Sequence, residues 1–294
     1  MTGVRASLGA LSADQRELLR TKVVQGERSA DEWHALLAPL QVLDGQADAA
    51  RSRAGKALLW LYLGGGLLVF VLLFLAPLVA LALLVLVTVP IVVLHLRRGR
   101  LKRLDLGDAA LGLALPLLPL LAEDAADDAP LTLGLDLRGP TADEKQTGSS
   151  DPYARGAYHR IVDFFYADPF LHARVRFADG ADVRLEAVEH VRRSRRTKRN
   201  PRGKIKTKVK DKRRVQLDVA VAFPAKNYAA AGPGGGALPP TDRERIAARD
   251  GRTVVRERRV VKASGAGGPI DPAHVVDLLA RAYGRVEPAR RKKL

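Results

Sequence analysis

The chain has 294 residues, a formal net charge of +17, 47% hydrophobic content and no cysteine. The absence of cysteine excludes a disulfide framework, a thiolate zinc site, a cysteine nucleophile and a prenyl or palmitoyl anchor. The length fits one moderate domain with membrane helices, or two small domains.

Residues 1–56 read as an N-terminal cytosolic helical segment. Ser12-Ala-Asp-Gln15 and Ser29-Ala-Asp-Glu32 both fit the capping box, in which a hydroxyl and a side chain three residues on satisfy free helix-end amides. Leu18, Leu19 and Val23, then Trp33, Leu36, Leu37 and Leu40, form two short apolar faces separated at Gly26, which predicts a small helical pair.

Ala57 to Leu96 is a run of forty positions without Asp, Glu, Lys or Arg. A bilayer crossing takes about 20 apolar residues, so residues 57–96 are expected to form a transmembrane helical hairpin. Its spans are about 57–75 and 78–96, turning at Ala76-Pro77. The run begins too far along the chain, and lacks the small-residue cleavage pattern, for a signal peptide, so it is expected to be retained. Arg51, Arg53 and Lys56 precede it, and Arg97, Arg98, Arg100, Lys102 and Arg103 follow. The positive-inside bias then predicts an integral protein of the inner or plasma membrane with both termini cytoplasmic. Trp60 and Tyr62 suit an interface, Pro90 suits a kink, and Gly64-Gly65-Gly66 suits close helix approach, including homo-oligomerisation through the hairpin. No ionisable residue lies deep in the run, which disfavours a transporter.

Residues 97–129 form a juxtamembrane segment, first basic and then acidic, ending in Glu123, Asp124, Asp127 and Asp128. Its leucine-rich stretch carries Pro116 and Pro119 and is short for a span, so a juxtamembrane or buried helix is expected. Residues 130–284 are expected to be a cytosolic β-rich domain, giving an α+β membrane protein whose sheet is small and antiparallel.

Leu131–Arg138 alternates as a half-buried strand, Gly139–Asp151 reads as a polar linker, and Tyr158–Tyr166 is ambiguous between helix and strand. Phe170–Phe177 and Val183–Ala187 form a hairpin whose loop length follows from parity. A two-residue turn would set apolar residues opposite charged ones. A three-residue loop, Ala178-Asp179-Gly180 with Gly180 left-handed, pairs Val175 with Val183, Ala173 with Leu185 and His172 with Glu186. A second hairpin turns at Asn200-Pro201-Arg202-Gly203. On its return strand Val215, Leu217, Val219, Val221 and Phe223 share the face of Ile205, Thr207 and Val209, and the lysines share the other. Residues 229–240 read as a flexible glycine-rich loop, Thr253–Lys262 as a strand, 272–283 as a helix capped by Asp271-Pro272, and 285–294 as a basic tail.

The basic ribbon, residues 192–214, carries the functional signal. It holds Arg192, Arg193, Arg195, Arg196, Lys198, Arg199, Arg202, Lys204, Lys206, Lys208, Lys210, Lys212, Arg213 and Arg214 against one acid, Asp211, and so +13 of the +17. Same-face residues on a strand lie about 7 Å apart, so the lysines form a row of like charges that opposes its own folding unless an anion neutralises it. One or two lysines would suffice to protect an edge strand. The expected partner is a polyanion. Anionic lipid headgroups lead, because they attract nearby Lys and Arg by about 1 kcal/mol each. Nucleic acid, or an acidic protein surface such as Glu123–Asp128, are the alternatives. No aromatic residue interrupts 192–214, which argues against base stacking by the ribbon itself.

Catalysis is not expected. Gly203-Lys204 fails the spacing of a phosphate loop, and no cofactor or metal ligand set is evident. His159 with Asp163 at helical spacing, and His172 and His190 with Glu186, are better read as surface polar residues and an ordinary cross-strand pair.

Overall fold

The computed structural model describes residues 2–127, 129–199, 203–230, 243–262 and 270–289. It divides into two compact units, one of Met1–Arg20 with Leu36–Leu106 and one of Thr21–Ala35 with Gly107–Leu294. The class is α+β, with two long apolar helices and a large antiparallel sheet.

The first unit holds α1 (Thr2–Ala10), α2 (Ala13–Thr21) and most of α3 (Ala30–Trp60), followed by a π-helical turn at Leu61–Gly65, α4 (Gly66–Leu75) and α5 (Pro77–Arg103). Both capping boxes form reciprocally. Ser12 N donates to Gln15 Oε1 at 2.9 Å while Gln15 N donates to Ser12 Oγ at 3.2 Å, and Ser29 and Glu32 repeat the pattern at the same distances. The helical ladder ends at Ala76, whose φ of −153° is extended, and Pro77 starts α5 at a position where its missing N–H costs nothing. A Cβ added to Gly65 would lie 2.9 Å from Val87 Cγ1, so this glycine lets α4 and α5 approach. Tyr62 and His95 are hydrogen-bonded at 3.0 Å. From Leu59 to Leu96 most large apolar side chains are exposed, and two helical stretches, Ala30–Leu75 and Leu78–Arg103, are long and apolar enough to cross a membrane.

The expected helical pair of residues 1–56 needs correction. Gly26 does lie between two helices, α2 and α3, but within a strand, β1 (Val23–Arg28), that takes in Val23, and α3 runs on into the apolar stretch. Val23, Gln25 and Glu27 alternate with less exposed neighbours, a period-2 signal too short to see beside the helical one.

The second unit adds α6 (Asp108–Glu123), β2 (Leu131–Asp136), β3 (Gln146–Ser149), β4 (Tyr153–Arg155), β5 (Tyr158–Arg176), β6 (Asp182–Arg199) and β7 (Ile205–Pro224). After them come β8 (Tyr228–Ala230), β9 (Arg243–Arg249), β10 (Arg252–Lys262), α7 (Ala273–Tyr283) and β11 (Val286–Pro288). The main sheet is larger than expected, nine antiparallel strands in the order β1-β2-β5-β6-β7-β10-β9, with β3 and β4 also paired to β5. β11 pairs with β8 separately. The supposed linker at 139–151 contains β3 and a 3₁₀ turn, and β9 went unforeseen. Its hairpin to β10 turns at Asp250-Gly251, both with positive φ, as a two-residue type I′ turn requires.

The Ala178–Gly180 loop and its register are those expected from parity: Val175 pairs with Val183, Ala173 with Leu185 and His172 with Glu186, with Gly180 at φ +86°. Tyr158–Tyr166 is strand, continuous with Phe170–Arg176 through a bulge between Pro169 and Leu171. Within Tyr158–Tyr166 burial passes from Ile161 and Asp163 on one face to Tyr166 on the other, so the stretch had no clean period, and the bulge shifts the phase again after it.

One face of the sheet carries the core. Val175, Val183, Leu185, Ala187, Leu217, Val219, Val221, Phe223 and Val255 are all buried on it. α6 contacts β5, and α7 contacts β7 and β10. α6 continues through Pro116 and Pro119 and is itself largely buried. Tyr228 and Tyr283 both donate hydrogen bonds to Asp179 Oδ2, at 2.7 and 2.8 Å, and stack around Phe223, tying α7 to the hairpin loop. Burial, reinforced by Asp179, pushes the Tyr228 phenol up to about 12. Residues 231–240 of the glycine-rich loop, the turn at 200–202, Asp128 and the tail from 290 lie outside the described residues.

Candidate polyanion-binding face

The long strands make the site. β5, β6 and β7 run for 19, 18 and 20 residues, whereas β10 pairs with β7 only from Arg214 to Pro224. At about 3.4 Å per residue, the remaining portion, in which β3 and β4 flank β5, extends roughly 30 Å beyond the part of β7 that β10 joins. Its β7 edge is uncovered among the described residues, whereas Ile161, Asp163 and Ser194 toward the β5 side are buried. Ile205–Lys212 is exposed on both faces, while Val215 to Phe223 is buried at every odd position.

The basic segment is therefore not a free two-stranded ribbon. β6 is central, with β7 on one side and residues 160–168 of β5 on the other. Arg192 lies opposite Lys212, Arg196 opposite Lys208 and Lys198 opposite Lys206. With Lys210 and Arg214 these residues form one face, which continues the solvent side of the sheet. Directly opposed like charges are destabilising. The other face continues the core side beyond its helices and carries Arg193, Arg195, Arg199 and Arg213 among Thr197, Thr207, Ile205 and Val209. The last two are 65% and 61% exposed because no helix reaches them. Lys204 precedes β7 and is exposed, and Arg202 is outside the described residues.

Three of the basic residues serve the fold. Arg193 pairs with Asp211 at 2.9 Å, Arg213 with Glu189 at 3.4 Å, and Arg192 with Asp163. Arg196 lies over the Tyr158 ring at 5.9 Å. Arg195, Lys198, Arg199, Lys204, Lys206, Lys208, Lys210, Lys212 and Arg214 have no acidic partner among the described residues. The body of the same solvent face behaves differently: Arg174 meets Asp182 at 2.6 Å, and Arg258 meets Asp218 at 2.5 Å. The body is not neutral, since Arg174 faces Arg184 and Arg245 faces Arg256 on this side of the sheet; the extension differs in carrying seven basic side chains with no acidic partner among the described residues.

Asp163 anchors the extension. It is buried, accepts hydrogen bonds from Ser194 Oγ at 2.5 Å, Tyr153 OH at 2.9 Å and Arg192, and its amide donates to Ser150 Oγ at 3.0 Å. Burial alone would raise its pKa, but the donors from Arg192, Ser194 and Tyr153 outweigh it and hold the carboxyl below its ordinary value. A depressed carboxyl contributes stability that is present above the unfolded value of 3.8 and lost as pH falls through the folded one. Asp163→Asn should cost about 1–3 kcal/mol at neutral pH, toward the low end because Arg192 is half-exposed. Denaturant titrations at descending pH should show the variant and parent converging below the ordinary carboxylate range.

At the root of the extension, Asp168 and Glu189 face each other across β5 and β6, both buried. Burial pushes both carboxyls up, opposed by Lys145 at 2.7 Å from Asp168 and by Arg213 beside Glu189. Lys145 also reaches Asp136 at 3.1 Å. This ion network joins β2, β5, β6 and β7.

The structure also supplies aromatic residues that the segment 192–214 lacks. Phe165 lies opposite Arg192 and is 40% exposed, and Tyr153 pairs with Ile161 and is 37% exposed. Together with Tyr158, they border the basic face from β4 and β5. Sequence reasoning missed them because strand adjacency, not chain adjacency, brings them there.

The histidines do not gather. His159 and His172 sit at opposite ends of β5, and His190 pairs with Ala167 on β6. Asp163 is not helically spaced from His159, since both lie on a strand. A cleft of about 520 Å³ lined by Glu27, Arg28, Leu121, Pro130, Leu131 and Val175 holds no set of groups arranged for acid–base chemistry. In the first unit Asp44, Asp48 and Asp105 bring carboxylate oxygens within 4.8 Å of one another, but Arg51 already pairs with Asp48 at 2.7 Å and with Asp105 at 2.8 Å. No family model matches the chain, and no curated protein or solved structure matches it, so function is argued from this geometry.

Proposed function

We propose that this is a non-enzymatic integral membrane protein that holds a basic β-sheet extension against anionic lipid headgroups. The observation that carries the reading is the concentration of basic side chains on one face of the extension, where Arg196, Lys198, Lys206, Lys208, Lys210, Lys212 and Arg214 have no acidic partner among the described residues. A row of like charges with no counter-charge lowers stability, and binding phosphate offsets that cost.

Two further observations support the membrane part. Exposed apolar side chains along α4 and α5 have no cover in water, and a bilayer supplies it. β1 precedes the apolar run and β2 follows it, yet they are neighbours in one sheet. The two flanks therefore belong on one side, and two crossings satisfy that requirement. The basic flanks assign that side to the cytoplasm.

Headgroups are favoured over other polyanions because two spans keep the extension near a phosphate surface at high effective concentration. The bordering Phe165 and Tyr153 support nucleic acid as a second reading, since exposed aromatic rings can stack on bases. Trypsin cleavage within 204–214 of the full chain in nanodiscs separates the two. Anionic phosphatidylglycerol discs should slow cleavage relative to phosphatidylcholine discs, and high salt should restore it. Equal cleavage in both discs would overturn the lipid assignment, and slowing by single-stranded RNA in neutral discs would replace it with nucleic acid.

A further inference from the structure

The extension has two unlike faces, and only one of them suits an anionic bilayer. Arg196, Lys198, Lys206, Lys208, Lys210, Lys212 and Arg214 point to the side that continues the solvent face. The opposite side offers Ile205 and Val209, two threonines and two unpaired arginines, Arg195 and Arg199. If the apolar side met the membrane, most of the lysines would project into water, away from the phosphates. Contact through the lysine side brings them toward headgroup level together, since they share one face of the sheet.

Resting on the lipid reading above, we propose that the extension docks flat by its lysine face, with Phe165 and Tyr153 at the interface, leaving Ile205 and Val209 in water. Three observations converge on this face. Of its basic residues only Arg192 has an acidic partner among the described residues, Asp163, whereas two of the four arginines on the other side are already neutralised, Arg193 by Asp211 and Arg213 by Glu189. Two of its cross-strand pairs, Arg196 with Lys208 and Lys198 with Lys206, are like-charged and lack an acidic partner among the described residues, so an external anion relieves both together. Its border carries half-exposed aromatic rings, the side chains that settle at a membrane–water interface. Asp163, beneath this face, holds Arg192 in place rather than opposing the phosphates, because its oxygens are buried and occupied by donors.

The chain contains no cysteine, so single labels are introduced without background. Positions 208 and 209 are adjacent, both exposed, and on opposite faces. Lys208→Cys and Val209→Cys, each carrying an environment-sensitive fluorophore in the full chain, are compared in phosphatidylglycerol and phosphatidylcholine nanodiscs. The expected result is a blue shift and quenching by a lipid-borne quencher at position 208 in anionic discs only, with position 209 unchanged. Lys206→Cys and Thr207→Cys repeat the comparison and guard against the loss of one lysine or a local distortion.

A response at 209 and 207 without one at 208 and 206 would overturn the face assignment and leave lipid binding standing. Responses of equal size on both faces would also overturn it, since a lobe buried edge-on is not docked flat. No response at any of the four would remove the lipid reading itself. A response at 208 to polyuridylate in neutral discs, with none to anionic lipid, would assign the face to nucleic acid.

Discussion

Replacing Lys206, Lys208, Lys210 and Lys212 together by glutamine is expected to weaken docking on an anionic bilayer while strengthening the fold. Each lysine near such a surface contributes about 1 kcal/mol, so four contribute about 4 kcal/mol, or about 10³-fold in the docking equilibrium. That figure is an upper bound, because it takes all four ammonium groups to sit at headgroup level. The stability change has the opposite sign. Lys206 faces Lys198 and Lys208 faces Arg196, repulsions that no acid among the described residues relieves, whereas Arg192 opposite Lys212 is already paired with Asp163. Tryptic protection in phosphatidylglycerol nanodiscs should fall toward the level in neutral discs, while the denaturant midpoint rises. A midpoint that falls, with protection intact, would mean that the lysines serve the sheet.

Trp33→Ala is expected to cost about 3–5 kcal/mol, the range for deleting a large buried aromatic side chain. Trp33 is fully buried, and its Nε1 donates to Leu131 O at 2.9 Å, fastening the start of α3 to the first residue of β2. Arg28 lies over its ring at 5.6 Å. The indole thus holds β1, α3 and β2 together at the edge of the sheet. Loss of near-ultraviolet ellipticity and of β1 amide protection would report the effect. An excised domain beginning at residue 104 lacks both β1 and this indole. It should be correspondingly less stable than the full chain, which makes the intact protein the proper subject of the binding experiments.

What was legible in the sequence divides along physical lines. Local rules worked where one face was apolar over several turns or pleats: both capping boxes, the break at Ala76, the Gly180 loop and the phase of Val215–Phe223 all follow from short-range chemistry. Features needing a distant partner were hidden. β1 is six residues long and earns strand status only from its pairing with β2. β9 is half charged, and only the Asp250-Gly251 turn beside it gave a usable signal. The bulge near Pro169 hid a long strand by reversing its parity. The basic residues of the candidate site were plain in the sequence. So was the division of β7 into a lysine face and an apolar one; which arginines of β6 join each face, and the three fold-supporting ion pairs, were not, because they depend on which strand lies beside which. The aromatic border has the same origin.

The pairing of β1 with β2 also imposes an order on synthesis. Residues 28 and 131 are separated by the whole helical stretch, which a ribosome takes roughly 5–20 s to translate. During that interval β1 has no strand to join and Trp33 has no cover. Under the two-crossing topology, the edge of the sheet closes only after the chain has gone out and come back. A nascent chain that failed its return crossing would leave β1 stranded across the bilayer from β2, with an unpaired edge and an exposed indole available to the proteases that clear membrane proteins. The sheet edge would then act as a checkpoint on membrane insertion, using the stability of the domain to report that the helices ahead of it are correctly threaded.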